Sequence, residues 1–168
     1  MLIVALLGLF LALVAYAAVS DLLTMRIPNW LSLALVAAFA AFALAGGLPW
    51  DAALMHVAAA GLVLTVCFTM FALGWIGGGD AKLAAATALW LGFSSLLEYL
   101  LIAAVAGGLL TVVILVLRAC PLPSAALAWA WLSRLHHRKN GIPYGVALAL
   151  AALVVFPSSR AWLATFGA

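Results

Sequence analysis

Charge is nearly absent from this chain, and where it occurs it separates long apolar runs. The first twenty residues, Met1 to Ser20, contain no Asp, Glu, Lys, Arg or His, and similar runs follow each later cluster of charge, glycine or proline. Only 7% of the 168 residues are charged and 70% are hydrophobic. A soluble domain carries about 25% charged residues because its surface must face water. This chain cannot solvate its own exterior, so the exterior must be lipid.

The apolar runs read as spans at about 2–20, 30–47, 52–74, 81–94, 96–118 and 143–161. Helices are expected, because an open sheet edge leaves unpaired backbone groups in hydrocarbon. The expected fold is therefore an all-α integral membrane domain of about six transmembrane helices, forming one polytopic unit over 1–168. The fourth run, at about 14 residues or roughly 21 Å, is short for a full crossing. It begins at a Gly-rich re-entrant point or lies where neighbours thin the bilayer, and it can form a bent hairpin with the fifth. Met1 to Ser20 is not read as a signal peptide, although Ala15-Tyr16-Ala17 has the form of a cleavage site. It lacks a positive amino-terminal region, and its apolar run exceeds the usual length of about 7–15 residues.

Six crossings gather Arg26, Lys82, Arg118, Arg134, Arg138 and Lys139 on one side and leave Arg160, Asp51 and Glu98 on the other. Basic loops stay in the cytoplasm, so the amino terminus is expected outside. The longest polar interruption, 119–142, lies on the cytoplasmic side. Pro121 and Pro123 end one helix, and Ser124 can cap another. Leu127, Trp129, Trp131, Leu132 and Leu135 then lead into Arg134, His136, His137, Arg138 and Lys139. That pattern predicts an interfacial helix at the headgroups, its basic end near anionic lipid, serving as an anchor or a substrate-docking surface. His136 and His137 are helix neighbours and point apart, and Cys67 and Cys120 form no C-x-x-C pair. No metal, no cofactor and no disulfide is expected. No basic, aromatic-interleaved surface for nucleic acid is present either.

Two carboxylates remain to be explained. Asp21 ends the first run, and Asp80 begins the fourth after Gly77, Gly78 and Gly79. Two crossings separate them, so both return to the same leaflet. Taken singly, Asp21 reads as a helix-end residue paired with Arg26 or Lys82, and Asp80 as a helix cap. Taken together, they can divide the work of peptide hydrolysis. Two close carboxylates share a proton; the ionised one takes a proton from water while the other polarises the scissile carbonyl. The three glycines permit unusual backbone conformations and leave no side chain above the carboxylate. His56 is read as an interfacial or packing residue near the outer face.

In order and spacing, Asp21 with Ile27-Pro28-Asn29, then Gly77-Gly78-Gly79-Asp80-Ala81-Lys82, then Ile142-Pro143-Tyr144-Gly145 resemble the type IV prepilin peptidases, specifically the short Flp/Tad-pilus branch. The resemblance implies a GXGD-type aspartic endopeptidase of the bacterial inner membrane that trims the basic leader from prepilins or pseudopilins at the cytoplasmic face. It makes Asp21 and Asp80 catalytic. Gly77, Gly78, Gly79, Lys82, Pro28, Asn29, Pro143, Tyr144 and Gly145 then shape the site. The longer members' cysteine zinc module and large loop are missing here, so methyltransferase activity is not expected. The partners implied are the prepilin and the bilayer, and the sequence carries no signature of an oligomeric state. A competing reading is a small transporter or channel-like protein using Asp21 and Asp80 for protons or cations. Such proteins show inverted repeats and midplane charges, neither of which is visible here.

Overall fold

The computed structural model describes residues 1–123, 128–138 and 140–166, and every regular element among them is helical. Helix α1 spans Leu2–Thr24, α2 Asn29–Ala45, α3 Trp50–Ala72 and α4 Gly78–Ala119. Helix α5 spans Ala130–His136 and α6 Tyr144–Val155; after a 3-10 turn, Phe156–Ser158, the chain ends in α7, Arg160–Phe166. Three helices (α1, α3 and α4) are long and apolar enough to cross a membrane, and the bent α6–α7 pair makes a fourth if counted as one span. Helix α2, at 17 residues, is apolar but shorter.

Helix α1 runs one turn past Asp21 and stops where Met25 adopts a left-handed conformation, φ 56° and ψ 33°, its N–H closing on the Asp21 carbonyl at 2.8 Å. Pro28 then fixes the entry to α2. The apolar run ends at the charge; the helix continues past it and stops because of the turn and the proline behind it.

The fourth and fifth runs form a single 42-residue element with one interruption, at Gly92 rather than at Ser95. A straight helix of that length would measure about 63 Å, twice the hydrocarbon thickness of about 30 Å. Gly92 instead has φ 62° and ψ −177°, a conformation essentially closed to other residues. The chain reverses there, so that Arg118 and Asp80, 38 residues apart in sequence, line one cavity. The shorter first arm is the centre of the molecule. Leu83 to Leu91 are all buried, with α2, α3 and α6 packed around α4. The alanines at 84–86 and 88 let neighbouring backbones approach closely.

The chain therefore alternates between two ends. Asp21, Asn29, Asp80, Arg118 and Gly145 gather at one, while Ile3, Gly46, His56, Gly92 and Arg160 gather at the other. At the second end, Trp90 is fully buried, donates to the Leu35 carbonyl at 3.0 Å and packs against Phe10, Phe39, Phe42 and Phe156. His56 lies beside the break, its Nδ1 2.8 Å from the Leu89 carbonyl. Exposed tryptophans mark both ends, Trp30, Trp75 and Trp129 at the first and Trp50 at the second, as expected of side chains at a membrane–water boundary.

Two further expectations need correction. The run 143–161 is not one straight helix. Pro157 cannot donate to a preceding carbonyl, so α6 passes into the 3-10 turn and α7 departs at 44°. The interfacial segment is helical only over Ala130–His136 among the described residues; its expected start at Ser124 and Leu127, and Lys139 near its end, lie outside them. Its basic end does not simply face lipid. Arg134 donates to the Leu23 carbonyl at the end of α1, and Leu135 is buried.

Candidate active site

Asp21 sits one turn before the end of α1, 5% exposed, on the face that packs against α6. Its Oδ2 accepts a hydrogen bond from the Gly145 N–H at 2.7 Å, and the Val146 amide also faces it. Gly145 is the second residue of α6, preceded by Pro143 at the cap position. The first amides of a helix have no intrahelical acceptor and carry the positive end of the helix dipole. Asp21 therefore caps α6 from another helix, which gives a buried carboxylate a hydrogen-bonded environment without a cation.

Asp80 is the third residue of α4. Its carboxylate reaches back to the Gly77 amide at the cap position, in the manner of a capping box, and is also faced by the Gly145 amide. The Gly145 N–H is thus bound to Asp21 and lies near Asp80, and the two carboxylates are close enough to interact electrostatically. Both line one cavity of about 680 Å³, open at the end of α1 and bordered by Ser20, Thr24, Arg26, Pro28, Asn29, Gly77, Gly78 and Gly79. Asp80 also borders a second cavity of about 620 Å³, with Arg118, Asn140, Gly141 and Tyr144, and a small apolar cleft with Cys67, Met70, Leu100 and Leu148.

Among the described residues neither aspartate forms an ion pair, so the pairing of Asp21 with Arg26 or Lys82 is not realised. Lys82 Nζ donates to Asn29 Oδ1 at 2.8 Å and ties the start of α4 to the start of α2. The turn after α1 is held by its own polar groups. Ser20 Oγ donates to the Arg26 carbonyl at 2.9 Å, and Thr24 Oγ1 to the Ser20 carbonyl at 2.7 Å.

Of the two roles expected of the glycines before Asp80, unusual backbone conformation and absence of a side chain, the structure shows only the second. None has a positive φ, and Gly77 has an ordinary extended conformation, φ −74° and ψ 144°. They supply room. A Cβ on Gly77 would stand 2.8 Å from Asp80 Oδ2, one on Gly78 3.2 Å from the Phe71 ring, and one on Gly79 3.2 Å from Ile27 Cβ. Gly145 is tighter still: a Cβ there would lie 2.6 Å from Ile27 Cδ1 and 2.8 Å from Asp21 Oδ2. Tyr144, beside it, lays its ring across Gly107 of the second arm of α4, and its hydroxyl lies 3.4 Å from the Ala103 carbonyl.

The sequence motifs included Pro143, Tyr144 and Gly145 without indicating how they act. The signal was a proline followed within two residues by a glycine at the start of an apolar run, which marks a helix amino terminus open to an acid. In the sequence Arg118 marks orientation only; in the structure it too borders the site. Among the described residues no three His, Cys, Asp or Glu side chains converge on a point that could hold a metal ion.

Helix-held acids at one end of an apolar bundle, open to that end through a polar cavity, define a membrane protein with a paired-carboxylate site. Residues 8–112 match the model of the type IV leader peptidase family, and the chain belongs to that family. It is by family a peptidase. Asp21 and Asp80 lie within the matched residues, whereas Arg118, Pro143, Tyr144 and Gly145 lie beyond them. Comparison with curated proteins and with solved structures returned no match.

Proposed function

We propose that this protein is an aspartic endopeptidase that removes the basic leader from Flp-type type IV prepilins at the cytoplasmic face of the bacterial inner membrane. Asp21 and Asp80 are its catalytic pair. The ionised carboxylate takes a proton from water as the oxygen attacks the scissile carbonyl, and the protonated one donates to the carbonyl oxygen. Collapse of the tetrahedral intermediate breaks the C–N bond, and a proton passes to the leaving amine. The observation that carries this reading is that Asp21 and Asp80, on different helices, line one cavity, with the Gly145 N–H bound to Asp21 and near Asp80.

In this reading the single domain crosses the bilayer six times, with α4 contributing two crossings through its reversal at Gly92. The amino terminus is periplasmic, and the aspartates, Arg118 and α5 meet the cytoplasm, where a prepilin presents the junction between its charged leader and its apolar helix. Gly77, Gly78, Gly79 and Gly145 keep side chains away from the carboxylates. Lys82, Asn29, Pro28, Pro143 and Tyr144 fix the helix ends that carry them.

The test is co-expression with an Flp-type pilin precursor from the same cell. Wild-type protein shifts the precursor to its shorter form on a gel. Asp21→Asn and Asp80→Asn each abolish the shift, because Asn keeps the capping oxygen but loses the acid. Asp51→Asn, at the opposite end, processes normally. Normal processing by either site variant sinks the mechanism.

A further inference from the structure

A basic residue in the last turn of a helix ordinarily turns toward its own helix's unpaired carbonyls. Arg118, in the last turn of α4, does something else. Its Nε donates to the Leu135 carbonyl at 2.7 Å and its Nη2 to the Gly141 carbonyl at 2.8 Å. Those two carbonyls stand at the two ends of the connection between α5 and α6. Asn140 Nδ2 closes the same connection by donating to the Arg134 carbonyl at 2.7 Å, and Arg134 donates in turn to Leu23 on α1. The chain is thus tied on both sides of the connection, once to the end of α4 and once to the end of α1.

Four residues beyond the Gly141 anchor is Gly145, whose N–H holds Asp21. Between them stands Pro143, buried and with fixed φ, so little slack separates the guanidinium's grip from the amide's position. The same guanidinium borders the cavity that contains Asp80 and Tyr144. We infer that Arg118 is a positioning residue: by pinning the turn before α6 it sets the Gly145 amide against Asp21 and near Asp80, and so fixes the geometry of the pair without touching substrate. A guanidinium suits this task, being permanently charged, planar and able to donate to two carbonyls at once through fixed N–H directions. The assignment rests on the peptidase reading above. It adds a residue beyond the portion of the chain that matches the family.

Arg118→Lys and Arg118→Gln test it, with wild-type protein and both variants reconstituted in vesicles of bacterial polar lipid and supplied with the purified pilin precursor of the co-expression experiment. Lysine keeps the charge and loses the fork; glutamine loses both. A displaced amide lowers the chemical step, so kcat per mole of folded protein is expected to fall on the order of ten- to a hundredfold in both variants, with KM within about twofold of wild type. A rise in KM at unchanged kcat overturns the inference, because it makes Arg118 a substrate contact. Wild-type kcat in the folded fraction of either variant, even at reduced yield, also overturns it, because the residue is then only structural. Failure of wild-type protein to process the precursor is a different result, one that defeats the peptidase reading itself.

Discussion

Gly145→Ala adds one methyl group where the structure leaves no room for it. The new Cβ would stand 2.8 Å from Asp21 Oδ2, 3.1 Å from Asp21 Cγ and 2.6 Å from Ile27 Cδ1. Ordinary contact begins near 3.4 Å, so the carboxylate must withdraw by about 0.6 Å or α6 must move as far. Overpacking of this kind costs about 1–3 kcal/mol, and alanine returns up to about 1 kcal/mol as a better helix former than glycine. The net loss of stability is therefore about 0–3 kcal/mol. Catalysis has no such offset. The withdrawal stretches the 2.7 Å hydrogen bond between the Gly145 amide and Asp21, a charge-assisted contact worth about 1.5–3 kcal/mol, and shifts one member of the pair. At about 1.4 kcal/mol per tenfold, processing should fall about ten- to a hundredfold. Gly141→Ala, four residues away, is the control: its Cβ meets nothing within 4 Å, and it should process as wild type does. The assay is the rate of precursor conversion per mole of folded protein, with thermal unfolding in detergent measured alongside. Equal rates for the two variants would refute the claim that the Gly145 amide and the absence of a side chain there organise the pair.

The far end offers two predictions that concern stability. Gly92→Ala places an L side chain at φ 62° and ψ −177°, with its Cβ 2.9 Å from the His56 ring; the backbone alone costs about 1–3 kcal/mol, and the yield of folded protein and its melting temperature in detergent should both fall. His56→Ala leaves the Leu89 carbonyl without the contact seen at 2.8 Å and should lower stability by about 1–3 kcal/mol. Because it acts at the end opposite the aspartates, conversion per folded mole should be unchanged, which the same gel assay reads.

Much of the fold was legible because lipid leaves few options. Apolar runs of this length, cut by the scarce charges, become helices, and every run found in the sequence is helical in the structure. What escaped was local. The ends of α1 and α6 depend on Met25 and Pro157, a left-handed turn and a missing donor. The reversal in α4 falls at Gly92 rather than at the neighbouring serines, because serine can stay helical whereas the observed φ and ψ are open to glycine alone. Seven hydrophobic residues in ten say that a turn must exist; only the one residue able to make it says where.

The site divides in the same way. Asp21 and Asp80 are prominent because a carboxylate is rare in such a chain, and the alternation of spans brings them to one end. How they are held was not legible, because the holding groups are backbone. A sequence names side chains, so it suggested Arg26 or Lys82 as the partner of Asp21, and the pairing fails. The observed donor, the Gly145 N–H, belongs to no side chain and comes from 124 residues away. The arrangement has a physical logic that ion pairing lacks. On the proposed reading the pair shares a proton, and a lysine or arginine beside each acid would hold both in the ionised state and disable it. Backbone amides, Gly145 and Val146 at Asp21 and Gly77 at Asp80, can support a charge without the fixed positive charge of a cation, which on the proposed reading leaves the pair free to share a proton. Three cations at this end are engaged elsewhere: Lys82 on Asn29, Arg134 on Leu23, and Arg118 on Leu135 and Gly141. They hold the backbone that holds the acids, and none of them forms an ion pair with either carboxylate.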